Sequence, residues 1–266
     1  MFQFAVRFKL RDVNAIEPWA GERGKTLSWF GLTDGCYCIE TPAGRLFEFA
    51  GEVAPGLGEP WCQYQVARLF EDLIEIWPTV SDPVPEDIIN YFQAWYRQKL
   101  GSDMCEVDSF DAFLAWQKHW ENHTREVGDR ALNAFYDVSE ALGYRRHVDT
   151  LYLQEQPNFL LWRIGEEIHL GWDGAASWPP MRARLKFSYS TVKDALSNFF
   201  QEFLAQMDAR VASIARDGWT GKECVLDVPR LIAEQIERSG WVAAAMTQIH
   251  LTDWALVRNC LKILAE

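Results

Sequence analysis

The chain opens on strict alternation. Phe2, Phe4, Val6, Phe8 and Leu10 are each separated by one residue, which puts five apolar side chains on one face of a strand. Residues 27–32, 36–40 and 45–49 read as further short strands. Thr33-Asp34-Gly35 and Pro42-Ala43-Gly44 lie between them, and those residue types favour turns. A small antiparallel meander is expected over this region.

The period then changes. Over residues 62–77, Val66, Leu69, Phe70, Leu73, Ile76 and Trp77 recur at helical spacing, with Arg68, Glu71, Asp72 and Glu75 on the other side. Pro78 is expected to stop this helix, because it has no N–H to donate. Pro85 reads as the first residue of the next helix, running to about residue 100. Glu86 and Asp87 then favour its positive N-terminal end. Asp108 or Ser109 caps a third helix reaching about residue 122, and a fourth spans about 129–142 and ends at Gly143. Short apolar runs return at 150–153, 159–164, 167–172 and 184–189, with Pro157-Asn158 and Gly165-Glu166 at bends. A long amphipathic helix is expected over about 192–215, capped by Ser190 or Thr191. Residues 228–238 and 253–265 close the chain as helices.

Strand groups at about 2–50 and 150–189, with helices at about 62–142 and 191–265, define an α+β protein, not an alternating βαβ one. One domain over residues 1–266 is expected, with a two-lobed division near residue 147 as the alternative. The 266 residues are 48% hydrophobic and 24% charged, so the chain can bury a sizeable core and is not disordered. Most of its 13 Trp and 16 Phe are expected in that core. No export signal and no run long enough to span a bilayer stand in the sequence. The six scattered cysteines then read as free thiols in a reducing cytoplasm.

Charge changes the picture. The chain carries 38 acidic and 26 basic residues, a net of −12. Residues 59–129 hold 14 acids against 5 bases, which is nine of the twelve excess negative charges. A field of one sign repels nucleic acid and anionic membranes and steers in a basic partner. Glu71, Asp72, Glu75, Asp82, Glu86, Asp87, Asp103, Glu106, Asp108 and Asp111 are the candidate partner-binding residues. They are expected to form one outward acidic ridge.

Candidate chemistry is sparse. His119 and His123 are four apart on a helix, a spacing zinc can use, but Glu121 stands where no metalloprotease pattern needs it. No Gly-x-Ser-x-Gly or phosphate-binding loop occurs. Trp162 and Trp172 are read as core rings on adjacent strands and Trp178-Pro179-Pro180 as a loop; the alternative is that the three Trp, with Asp173, line a groove for a sugar or another flat ligand. No catalytic residue, metal or cofactor is assigned.

Two segments carry a resemblance. Ser28-Trp29-Phe30-Gly31-Leu32-Thr33-Asp34-Gly35, followed by Tyr37 and Ile39, is one. Gln65-Val66-Ala67-Arg68-Leu69-Phe70-Glu71-Asp72-Leu73, followed by Pro83-Val84-Pro85-Glu86-Asp87-Ile88, is the other. With Asp149-Thr150-Leu151-Tyr152-Leu153 and residues 159–172, they resemble a bacterial domain family of unknown function over about residues 1–215. That resemblance brings no catalytic residues. In class, an acidic and motif-free chain also resembles immunity proteins. The expected function is therefore non-enzymatic: binding and inhibition of a cognate secreted antibacterial toxin, a basic protein such as a nuclease. The alternative is a small-ligand-binding protein or enzyme using a Trp-lined pocket in the second half.

Overall fold

A computed structural model describes residues 4–21, 24–50, 58–100, 107–124 and 126–265. Its first sheet is built from β1 (Ala5–Leu10), β4 (Asp34–Thr41), β5 (Gly44–Leu46) and β6 (Cys62–Gln65), while β2 (Trp19–Gly21) and β3 (Gly24–Thr26) form a separate ribbon. β4 is the centre, with β1 on one edge and both β5 and β6 on the other, all antiparallel. Its residues 35–39 are all buried, as expected of a strand paired on both sides.

Residues 27–32 are not the expected strand. Trp29 is fully buried, and Gly31–Thr33 forms a 3-10 turn. Ser28 Oγ accepts from Gly31 N at 3.2 Å. Thr33 Oγ1 donates to Phe30 O at 2.7 Å and accepts from Ala67 N at 3.2 Å. Ala67 lies in the first turn of α1 (Val66–Val80), whose own N-cap residue, Gln65, makes no side-chain cap bond. Thr33 therefore caps a helix from another segment, and that need outweighs strand propensity.

Two boundaries of α1 also differ from expectation. Residues 62–65 pair with β4 instead of starting the helix, Cys62 opposite Tyr37 and Gln65 opposite Asp34. Pro78 lies inside the helix, not beyond it. It removes one donor near the last turn, and the ladder resumes with Ser81 N to Trp77 O at 2.9 Å. Burial of Trp77 and Val80 holds that turn in place.

The middle helices are α2 (Glu86–Leu100), α3 (Ser109–His123) and α4 (Asp129–Leu142). Asp108 caps α3 by accepting from Phe110 N at 2.9 Å. Residues 150–153 form turns, not a strand. Leu151 N donates to Asp149 Oδ1 at 2.9 Å, and Thr150 Oγ1 donates to Pro157 O at 2.6 Å. The second sheet is an antiparallel meander of β7 (Asn158–Ile164), β8 (Glu167–Asp173) and β9 (Arg182–Ser188). Gly165, at φ 58°, makes the two-residue turn between β7 and β8. α5 (Tyr189–Asp217), α6 (Val228–Thr247) and α7 (Trp254–Ile263) complete the chain. The cap of α5 is Ser188, whose Oγ accepts from Thr191 N at 3.1 Å.

The second sheet is buried on both faces. Phe159, Leu161, Ile168, Leu170 and Trp172 join a core with the first sheet, α1 and α5. Leu160 and Trp162 point the other way, into a core made by α2, α3, α4 and α7. Both cores take residues from before and after residue 147. Gly171 lies on the second face, and a Cβ there would sit 2.9 Å from the Phe110 ring. That ring packs on Trp162 at 4.5 Å. Arg146, fully buried, joins the parts. It donates to Asp82 O at 3.0 Å, Ala141 O at 3.1 Å and Thr252 Oγ1 at 3.2 Å. Burial pulls its pKa down to about 10, although Asp82 opposes this.

Gly171→Ala is expected to cost about 1–3 kcal/mol by overpacking, read as a lower urea midpoint at unchanged slope. An unchanged midpoint would show that Phe110 can move aside.

Candidate functional site

Among the described residues, four acids of residues 59–129 meet arginines from later in the chain. Glu71 pairs with Arg238 at 2.8 Å, Asp87 with Arg258 at 2.6 Å, and Asp111 with Arg184 at 2.8 Å and also with Arg182. Asp108, besides capping α3, lies 3.6 Å from Arg184 Nε. Asp82 is buried beside Arg146 and accepts from Thr252 N at 2.8 Å. Asp72 is only 6% exposed and lies 3.4 Å from Arg68 Nε. Glu75 and Glu86 are exposed and make no ion pair among the described residues. Asp103 and Glu106 lie outside the described residues. One continuous outward ridge is therefore not present: Asp72 and Asp82 face inward. The polar side of α1 is itself covered, by α6 and by residues 144–151 and 250–252.

That cover is incomplete and leaves a cleft of about 760 Å³. α1 contributes Arg68, Glu71, Asp72 and Glu75 to its lining, and Asp149 joins them from the connecting segment. Arg68 is shared: it pairs with Asp149 as well as Asp72, and its guanidinium lies 5.4 Å from the Tyr152 ring. Asp72 Oδ2 and Arg68 Nε are buried without a hydrogen-bond partner among the described residues. Burial pushes the Asp72 carboxyl up to about 7; Arg68 opposes this, while Asp149, Glu75 and Glu71 add to it. Burial also pulls the pKa of His147, on the same cleft, down, with Asp149 opposing. Three lining side chains are apolar yet exposed: Tyr144 at 65%, Leu151 at 73% and Leu251 at 82%.

Chemically this is a recess with four carboxylates, Arg68, Arg145, His147 and His250, and an apolar mouth. It suits a cationic group carried on an apolar surface. Asp72, protonated or ionised near neutral pH, could also pass a proton.

Other sequence candidates fall elsewhere. The His119 and His123 rings are 4.3 Å apart, with His123 Nδ1 2.7 Å from His119 O and Trp95 against His119. Among the described residues no group of three or more metal-ligating side chains gathers. Trp162 and Trp172 are fully buried core rings on opposite faces of the second sheet, and Trp178 shares a core with Trp172 only, so the three do not line one groove. Cys36, Cys38, Cys62, Cys224 and Cys260 are free thiols, and Cys105 lies outside the described residues. Asp149, Leu151 and Leu251 were missed as site residues. The first two lie in a segment that carries the family resemblance, which was the available signal.

The raised Asp72 pKa has a stability consequence. Between the ordinary carboxylate value and about 7, the folded chain holds a proton that the unfolded chain releases. Stability contributed by Asp72 is therefore present at low pH and lost as pH rises through that window. Asp72→Asn is expected to match wild type near pH 4 and to be about 1–3 kcal/mol more stable near pH 8, by urea unfolding. Equal stability at both pH values would mean that Arg68 fully offsets the burial.

Comparison with known proteins agrees with the resemblance and extends it. No helix among the described residues is long and apolar enough to cross a membrane. No curated protein and no solved structure matches the chain. A family model described as a family of unknown function, DUF5984, matches residues 5–260, and the chain belongs to that family.

Proposed function

We propose that this chain is a non-enzymatic bacterial immunity protein that binds a cognate secreted toxin through the cleft on α1. The single observation carrying this reading is the composition of that cleft. Carboxylates line it, including the unpaired Glu75, and exposed Tyr144, Leu151 and Leu251 line it too. Contiguous exposed apolar side chains are costly unless another surface covers them. Carboxylates beside them select a partner that presents Lys or Arg. A basic nuclease meets that description, since a surface built for phosphate is cationic. Asp87, Asp108 and Asp111, outside the cleft and already paired with arginines, contribute to solubility more than to recognition.

Asp72 favours a second reading. A buried carboxyl whose pKa sits near neutrality, in a large cleft, is also what a general acid or base requires. On that reading the chain is an enzyme acting on a cationic small molecule.

The product of the adjacent gene, co-expressed and purified with this chain, tests the first reading. A complex is expected. Glu75→Lys with Leu251→Glu is expected to weaken it about a hundredfold, since both alter a desolvated contact. Glu86→Lys, outside the cleft, is expected to change little. A complex indifferent to the double variant would remove the cleft from the interface. Failure to form a complex or to protect cells from the toxin would overturn the immunity reading.

A further inference from the structure

A second cavity, of about 320 Å³, opens where β6 meets the turns that follow Asp149 and precede β9. Its lining is aromatic. Phe49 and Trp178 meet edge to face at 5.5 Å, and Tyr64 and Tyr152 lie against each other at 4.4 Å. Trp61 adds a fifth ring. Glu59 is the one charged side chain among the described lining residues; the Arg68 guanidinium lies 5.4 Å from the Tyr152 ring, which leaves Phe49, Trp61, Tyr64 and Trp178 as the rings open to a cation.

The polar ends of these rings differ in one respect. Trp178 Nε1 donates to Gln154 O at 2.8 Å. Tyr152 OH is bonded to Tyr37 OH at 2.6 Å. Trp61 Nε1 is buried and has no partner among the described residues. A buried donor left unpaired is costly, and an acceptor on a ligand would remove that cost. Cys62, also in the lining, supplies no charge, because burial pushes its thiol up to about 12.

Three features therefore bear on the ligand. Ring faces carry negative electrostatic potential and attract a cation that sheds its water. One carboxylate adds to that attraction and disfavours anions such as phosphate. The Trp61 N–H, unpaired among the described residues, asks for an oxygen. We propose that this pocket binds a small tertiary or quaternary alkylammonium compound that also carries an oxygen acceptor. Its cationic head would lie among the rings with Glu59, and its oxygen would take the Trp61 N–H. The size suits a compact ligand, at the low end of small-molecule sites. The pocket is separate from the α1 cleft, and the inference does not rest on the toxin-binding reading.

The test titrates the whole protein with choline, followed by calorimetry and tryptophan fluorescence. The same titration uses 3,3-dimethylbutan-1-ol, in which carbon replaces the cationic nitrogen and no anion is introduced. Saturable choline binding is expected, with the carbon analogue about tenfold weaker or worse. Trp61→Phe, which keeps a ring and removes the donor, is expected to weaken choline about tenfold. Phe49→Leu, at a partly exposed position, is expected to weaken it with the near-UV circular dichroism unchanged. Equal binding of the two compounds would overturn the cation site, as would the absence of saturation in the millimolar range. Tighter binding of glucose or adenosine would assign the pocket to a neutral ring instead.

Discussion

Arginines from the second half of the chain hold four carboxylates of the first. Arg184 joins Asp111 on α3 to Asp173 on β8. Arg238 joins Glu71 on α1 to α6 and covers the buried Trp29 ring at 4.1 Å. Arg258, at the surface, reaches from α7 to Asp87 at the start of α2. Arg146 crosses the interior between the end of α4, Asp82 and Thr252. Several of these guanidiniums are substantially buried. Losing one partner of such a pair leaves a desolvated charge behind, so the pairs fix which segments meet. The acid-rich stretch is in this sense an internal binding surface for the rest of the chain.

The α1 cleft is where that matching runs short. Arg68 serves both Asp72 and Asp149, and Glu75 has no cation among the described residues. A carboxylate that must share its arginine in a buried place is poorly compensated, so Asp72 holds its proton more tightly than an ordinary aspartate. Glu75 is the unpaired carboxylate of that recess, beside apolar side chains that the fold leaves exposed.

Local signals made much of the fold legible. Pro85, Asp108 and Gly143 marked α2, α3 and α4, because caps and breakers act within a few residues. Gly165 marked the β7–β8 turn for the same reason. What was not legible depends on distant partners. Thr33 looks like a turn residue until Ala67 is seen to need its oxygen. Pro78 looks like a stop until Trp77 and Val80 are seen to be buried. The acids read as a ridge because their partners, Arg184, Arg238 and Arg258, lie 73 to 171 residues away in sequence. Asp72 was legible as a residue on the polar side of α1, but its burial is made by segments no helical pattern predicts.

The most direct measurement is the titration of Asp72 itself, by carbon-detected NMR of its carboxyl group in the intact protein. A midpoint near 7 is predicted, because burial and a shared arginine leave the ionised form undercompensated. A midpoint near 4, the ordinary carboxylate value of about 3.9, would contradict the account, since Arg68 would then satisfy both its carboxylates.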